Sequence, residues 1–354
     1  MSTEVQMPDH RAPNGAPPGV FGGVEAVHPA DRAAPRSGAL TRAAKRALGG
    51  LLPLLDDPEL RDLVVHVRDG AAQLWLDRSG ALQRVPGWEA GPDAVHRLAT
   101  ALIAAGGRHI DELHPCTDVR LGDGIRVHAM LPPIAVGGAA VSIRLPRVTP
   151  VSFENLAAHG LASSRALQTL REAIAQRRNL LITGGTGSGK TTLLAALLDL
   201  AAPEERILTI EDVAELRLNH PHVVSLEARQ ASAEGVGEVA LDRLLREALR
   251  MRPDRIVLGE CRGAEIATLL AALNTGHDGG AGTLHASRLE DVPMRLEALG
   301  ALAGWSAEAL ARQAVGALHL IVHISRGCAG PQIRALGTLA LDDDRLLTMQ
   351  RLPT

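Results

Sequence analysis

The chain has 354 residues, 46% of them hydrophobic, and a formal net charge of -3, which suits about two domains that each bury a core. Three Trp, two Phe and no Tyr leave little with which to stack single-stranded bases, so a nucleic-acid reader is disfavoured and no stable nucleic-acid partner is expected. Cys116, Cys261 and Cys328 are far apart and odd in number, which argues against a disulfide framework or a metal knuckle and fits a reducing, cytoplasmic setting. No stretch reaches the roughly 18 apolar residues of a spanning helix, so any membrane role runs through a partner.

Residues 1–44 open with Pro, Gly, Ala and His in neither helical nor strand period, and read as a disordered leader. Near its end LTRAAKRAL has the spacing of a short amphipathic helix, followed by a turn around Pro53 and Asp56-Asp57-Pro58. VVHV, AQLWLD and ALQRV then alternate with turn residues as short antiparallel strands, and AVHRLATALIAA has helical spacing. TDVRL and IRVHAML, joined by Gly122-Asp123-Gly124, form a hairpin, and AAVSIRL is a further strand running into Pro146 and Pro150. Residues 45–148 are thus an α+β amino-terminal domain.

Over 149–354 the pattern becomes strand, Gly-rich loop, helix, strand, which predicts an α/β domain with a largely parallel sheet. NLLIT, RILTIED, HVVSLEA and RIVLGE are strands, TTLLAALLDL is a helix, and GEVALDRLLREALRM is a helix stopped before Pro253. ALHLIVHIS, IRALGTLAL and RLLTMQRL close the chain as strand-like runs.

The segment Gly184, Gly185, Thr186, Gly187, Ser188, Gly189, Lys190, Thr191 fits G-x-x-x-x-G-K-[ST] between a strand and a helix. Glycines let backbone N–H groups turn inward around phosphates, and the helix N-terminus adds the positive end of a dipole. Lys190 reaches the β/γ-phosphates, Thr191 ligates magnesium and Thr192 completes the first turn. ATP and Mg2+ are the cofactors this predicts. A P-loop also needs acids, and Glu211 and Glu260 end apolar strands, where a parallel sheet delivers side chains to ligand. Glu211 is assigned to orient the attacking water and Glu260 to hold magnesium through its water shell; the reverse assignment stays open, because both approach the same phosphate. Asp212 and Glu215 are weaker candidates, since an acid after a strand often only caps a turn.

NTGHDGGAGTLHA places two histidines among four glycines. His285 with Thr283 is read as bonding a γ-phosphate or the water beside it; metal binding by His277 and His285 lacks a third ligand at suitable spacing. In the hairpin, a three-residue loop sets Arg120 opposite Arg126, like charges that are unfavourable without an anion between them. Arg144, with Arg147, extends this patch. It serves as a solvated face or a salt bridge to Asp118, or else as a γ-phosphate contact. Arg243, Arg246 and Arg250 form an i, i+3, i+7 stripe, either solvated or a subunit contact.

Taken together, GGTGSGKTT, TIEDVAEL, LLREALRMRPDRIVLGECRG and ALNTGHDGGAGTLHA, in that order, resemble the secretion traffic ATPases of type II and type IV systems, most closely the Tad/Cpa (Flp) pilus-assembly branch. LLPLLDDPELRDL, GRHIDELHPCTDVRLGDGIRVHAMLPPI and SIRLPR extend the resemblance to about residues 48–325. It implies a hexameric RecA-like P-loop ATPase domain flexibly linked to a smaller amino-terminal domain, working at the inner face of the cell membrane through inner-membrane platform proteins of a pilus or secretion system. It also implies roles for Glu211 as the acidic-box glutamate, Glu260 as the Walker B glutamate and His285 as the histidine-box residue. Arg126 and Arg144 look like the arginines that reach the γ-phosphate, with Arg120 as a further one. Cys261 and His128 depart from the commoner aliphatic residue and Asn, and the tetracysteine module of some pilus-extension ATPases is absent. A conjugation-type secretion ATPase shares the same motifs, and a nucleic-acid translocase would use the same engine.

Overall fold

The computed structural model describes residues 35–353, apart from 79, 123, 147–150, 230–235 and 328–329. Most of the expected leader therefore lies outside the described residues, as do Arg147, Cys328 and the expected domain boundary between 148 and 149. Within the described residues, structure is already present before residue 44. A 3-10 turn at Arg36–Ala39 buries the Arg36 guanidinium, which donates to Leu55 O (3.0 Å), Asp57 O (2.6 Å) and Pro146 O (2.8 and 3.1 Å). Leu40 and Ala44 enter the core. Composition misplaced this boundary because one guanidinium, with five donors, satisfies three carbonyls in a segment otherwise rich in turn formers.

Helix α1 (Arg42–Leu48) starts at Thr41, whose hydroxyl accepts from Ala44 N, and ends at Gly49. A 3-10 run (Gly49–Asp56), rather than a simple turn, carries Pro53. The strands β1 (Leu60–Arg68), β2 (Ala71–Arg78), β3 (Ala81–Arg84), β4 (Cys116–Leu121), β5 (Ile125–Met130) and β6 (Ala140–Arg144) make an antiparallel sheet in the order β3-β2-β1-β6-β5-β4. Alternation along β5 and β6 sends Ile125, Val127, Val141 and Ile143 to one face. There they pack with α2 (Pro92–Ala105), whose Val95, Ala99, Leu102 and Ile103 supply its apolar stripe. Each fully buried Leu or Ile contributes about 1.5–3 kcal/mol. The opposite face carries Arg126, Arg144 and Asp62.

The second part runs α3 (Phe153–Ala158), α4 (Ser164–Ala175), β7 (Leu180–Gly184), α5 (Lys190–Leu198), β8 (Ile207–Glu211), β9 (Val223–Glu227), α6 (Leu241–Ala248), β10 (Arg255–Cys261), α7 (Glu265–Asn274), β11 (Ala281–His285), α8 (Val292–Leu302), α9 (Ala307–Ala317), β12 (Leu320–Gly327), β13 (Gly330–Leu341) and β14 (Leu347–Leu352). Its strand order is β14-β13-β12-β7-β11-β10-β8-β9, parallel from β12 to β9 and finished by an antiparallel β12-β13-β14 edge. β7 and β8 are buried at every residue, the mark of a parallel sheet covered on both faces. Helix α6 starts later than GEVAL suggests, because Val239 bridges back to Arg229 instead of joining the helix. The architecture is a RecA-like P-loop ATPase fold preceded by a smaller α+β domain.

Candidate nucleotide-binding site

β7, inside the large sheet between β12 and β11, delivers the Gly-rich loop at its carboxyl end. Gly189 caps α5 at φ 97°, and a Cβ there would lie 2.9 Å from Pro331 Cβ; both the left-handed backbone and the close approach require glycine. The helix is fixed from behind by Leu193, Leu194, Leu197 and Leu198, all buried. At its head, Lys190 is 9% exposed and its Nζ donates to Gly184 O (3.0 Å) and Gly185 O (2.9 Å). Burial lowers the ammonium pKa, while the negative charge of Glu260 raises it. Ser188 Oγ donates to Gly185 O (2.8 Å), Thr186 and Gly187 are exposed at the loop tip, and Thr191 and Thr192 are half-buried on the first turn. The expected P-loop residues thus share one strand-to-helix turn.

β8 and β10 are neighbours in parallel register, so Glu211 and Glu260 leave the same edge of the sheet in different surroundings. Glu211 is 4% exposed, and its carboxylate accepts from Glu215 N (3.0 Å) and Leu216 N (3.1 Å), closing the loop that follows β8. It lies over Gly259, where a Cβ would stand 2.6 Å from Glu211 Cγ. Burial pushes its pKa up to about 7, against the pull of those two amides. Glu260 is more open and accepts from Arg262 Nε (2.6 Å) and Nη2, while Arg262 Nη1 stands 4.0 Å from Asp212. Glu265 Oε1 holds the Arg262 and Gly263 amides (2.6 and 2.7 Å). Arg262, not singled out from the sequence, therefore sets a cation between two carboxylates. The signal for it was a basic residue two positions beyond a strand-end acid.

These hard oxygen donors, Glu260 and Asp212 with the Thr191 hydroxyl on the adjacent helix, suit magnesium, which takes one or two carboxylates and completes its shell with water and phosphate. Among the described residues no group of three or more His, Cys, Asp or Glu could hold a metal. His277 Nδ1 contacts Ala272 O (3.3 Å). His285 ends β11 in register with Gly184, beside the P-loop. Thr283 is not turned to the loop as expected: it is buried and donates to Gly259 O (2.6 Å), tying β11 to β10. Its strand position, beside the Gly259 carbonyl, decides this. Behind β7, the Thr183 hydroxyl meets buried His323 Nδ1 (3.0 Å), whose pKa burial lowers.

The hairpin register is as read: Arg120 pairs with Arg126, Arg126 with Arg144, and Arg144 with Asp62, in one row across β4, β5, β6 and β1. The row does not act as one patch. Arg126 reaches the loop after β8, with Nη2 at 2.8 Å from Glu215 Oε1 and donating to Val213 O (3.2 Å). Arg120 pairs with Glu227 at the end of β9, and Glu227 also accepts from Ala214 N (3.3 Å). Arg144 turns instead to Asp62 (2.9 Å), the carboxylate directly opposite it on β1, and stays exposed. Asp118, the alternative partner for this patch, is taken by His128 (2.9 Å). Arg246 pairs with Asp242 along α6, and Arg250 with Glu247 just past the end of that helix.

A family model described as Type II/IV secretion system protein matches residues 64–348. A Mycobacterium tuberculosis protein named for conjugal transfer is 46% identical over 288 residues, 80% of this chain and 81% of its own length. The type IV secretion system protein PtlH of Bordetella pertussis is 35% identical over 277 residues, covering 70% and 79%. Among solved structures, the pilus retraction motor PilT with bound ADP aligns with a TM-score of 0.56 at 22% identity over 83% of this chain and 80% of its own. The Legionella pneumophila ATPase DotB gives 0.54 at 22% identity over 83% and 76%. These two likenesses speak to fold, whereas the family model's match over residues 64–348 and the identity with relatives across most of the chain speak to kinship: the chain belongs to the type II/IV secretion system protein family.

Proposed function

We propose that this chain is the ATP-hydrolysing motor subunit of a type IV-like secretion, conjugation or pilus-assembly machine, acting as a homo-hexamer. The observation that carries it is the Lys190 ammonium, buried at the mouth of a P-loop and within electrostatic reach of Glu260. Triphosphate entering the loop takes the place of the Gly184 and Gly185 carbonyls on Lys190. Bound magnesium would supply charge neutralisation on the phosphate oxygens, with Thr191 and Glu260 holding it, the latter through water. Glu211, with a pKa near 7, suits transfer of a proton from water at physiological pH, provided that it exchanges its loop amides for that water. Arg126, on the small domain, is the arginine best placed to meet the phosphate, and His285 lies beside the loop.

The names of the relatives favour conjugation-type or type IV secretion as the machine; pilus assembly through an inner-membrane platform is the reading that the sequence motifs favour. Among the described residues no helix is long and apolar enough to cross a membrane, so attachment to the inner face of the membrane would run through such a partner. ATP turnover per subunit, followed across a dilution series with mass measured by light scattering, tests motor and ring together. Turnover should rise with concentration as hexamers form and be unaffected by single- or double-stranded nucleic acid at physiological salt. A fully active monomer rejects the ring, and absent turnover in the assembled form rejects the motor.

A further inference from the structure

Arg126 enters the site already engaged. Its guanidinium, one-third exposed, lies 2.8 Å from Glu215 Oε1 and donates to Val213 O. Glu215 in turn has a second attachment: its backbone N donates to Glu211 Oε1 at 3.0 Å. One residue thus touches Arg126 through its side chain and the buried carboxylate of β8 through its amide. The neighbouring Arg120–Glu227 pair, with Glu227 accepting from Ala214 N, grips the same loop one residue earlier.

We propose that Glu215 is a positioning residue that parks Arg126 away from the phosphate, so that a nucleoside triphosphate binds by taking this guanidinium from the Glu215 carboxylate. This rests on the reading of Arg126 as a phosphate contact. A partly exposed carboxylate–guanidinium pair is weak. A phosphate carries more charge and presents paired oxygens to the guanidinium fork, so it is the stronger partner. A diphosphate lacks the terminal group and leaves the pair intact. Release of the Glu215 side chain also loosens the loop whose amide holds Glu211, which couples arrival of the terminal phosphate to freeing of the strand-end acid.

The test is a double-mutant cycle on the full-length chain with magnesium. It measures equilibrium binding of a ribose-labelled fluorescent, non-hydrolysable ATP analogue and of similarly labelled ADP. Glu215→Gln should tighten the triphosphate analogue about two- to fivefold, the range spanned by release of an exposed ion pair, and leave ADP within twofold. Arg126→Ala should weaken the triphosphate, and in that background Glu215→Gln should have no further effect. Circular dichroism checks folding, with Glu215→Ala as the second variant. If Arg126→Ala weakens the triphosphate but Glu215→Gln leaves it unchanged, weakens it, or acts equally in both backgrounds, the parking role is overturned. If Arg126→Ala leaves triphosphate binding unchanged, the reading of Arg126 itself fails, and the parking role with it.

Discussion

The two sheets present charge in opposite ways. In the large sheet, strands buried on both faces carry Gly184, Glu211, Glu260 and His285 to one edge, so the position of each group is set by a backbone ladder and a packed core. In the small sheet, one face is open, and Arg120, Arg126 and Arg144 are set in register by strand pairing but directed by whichever carboxylate they meet: Glu227, Glu215 or Asp62. Backbone geometry holds a group to fractions of an ångström, whereas a surface ion pair is exchangeable at small cost. The difference teaches that the parallel sheet fixes where its charged groups stand, whereas the antiparallel one leaves the direction of its arginines to exchangeable partners.

The largest break in that scheme is Lys190→Ala, which should reduce ATP turnover to background and greatly weaken nucleotide binding with an unchanged circular-dichroism spectrum, since the side chain points into the loop. Normal turnover would remove the P-loop from the chemistry. Next come the two acids. Glu211→Gln should retain magnesium-nucleotide binding but slow single-turnover hydrolysis about 100-fold, whereas Glu260→Gln should raise the magnesium concentration needed for half-maximal rate. Interchanged phenotypes would interchange the roles.

Burial of Glu211 also makes a prediction for stability. Its folded pKa, about 7, lies above the ordinary carboxylate value, so the native state holds a proton that the unfolded chain has released. This contribution is fully present below pH 4–5 and is lost as pH rises toward and through about 7, by on the order of 3 kcal/mol at most. Thermal melts across pH 5–8 should show wild type losing stability relative to Glu211→Gln as pH rises; parallel curves would place the carboxylate in water. The smallest effects sharpen the arginine row. Arg126→Ala should lower turnover about 10-fold and Arg144→Ala about twofold, both with ADP affinity nearly unchanged, because of these two arginines Arg126 alone reaches the loop after β8. Equal losses would show that Arg144 leaves Asp62 during the cycle.

Much of this was legible locally. The period-2 runs of β5 and β6, the Gly-x-Gly turn and the motif between β7 and α5 each carry their own signal, and the Arg120–Arg126 pairing followed from loop length alone. Directions were not legible. Nothing near Arg144 in sequence announces Asp62, and nothing near Arg126 announces Glu215, because those partners are chosen by how distant strands fall side by side. Thr283 was misassigned for the same reason: a hydroxyl in a glycine-rich box looks like a phosphate ligand until a neighbouring strand offers a carbonyl. Arg36 was missed because a composition rule averages over a segment in which one buried guanidinium decides order.

That guanidinium has a mechanical consequence. By holding Pro146 O with two donors while also gripping Leu55 O and Asp57 O, Arg36 fastens the entrance of the small domain to its exit. A pull applied at Pro146 therefore loads Arg36 and the 3-10 run it grips together with the end of the small sheet, as a strap loads a buckle.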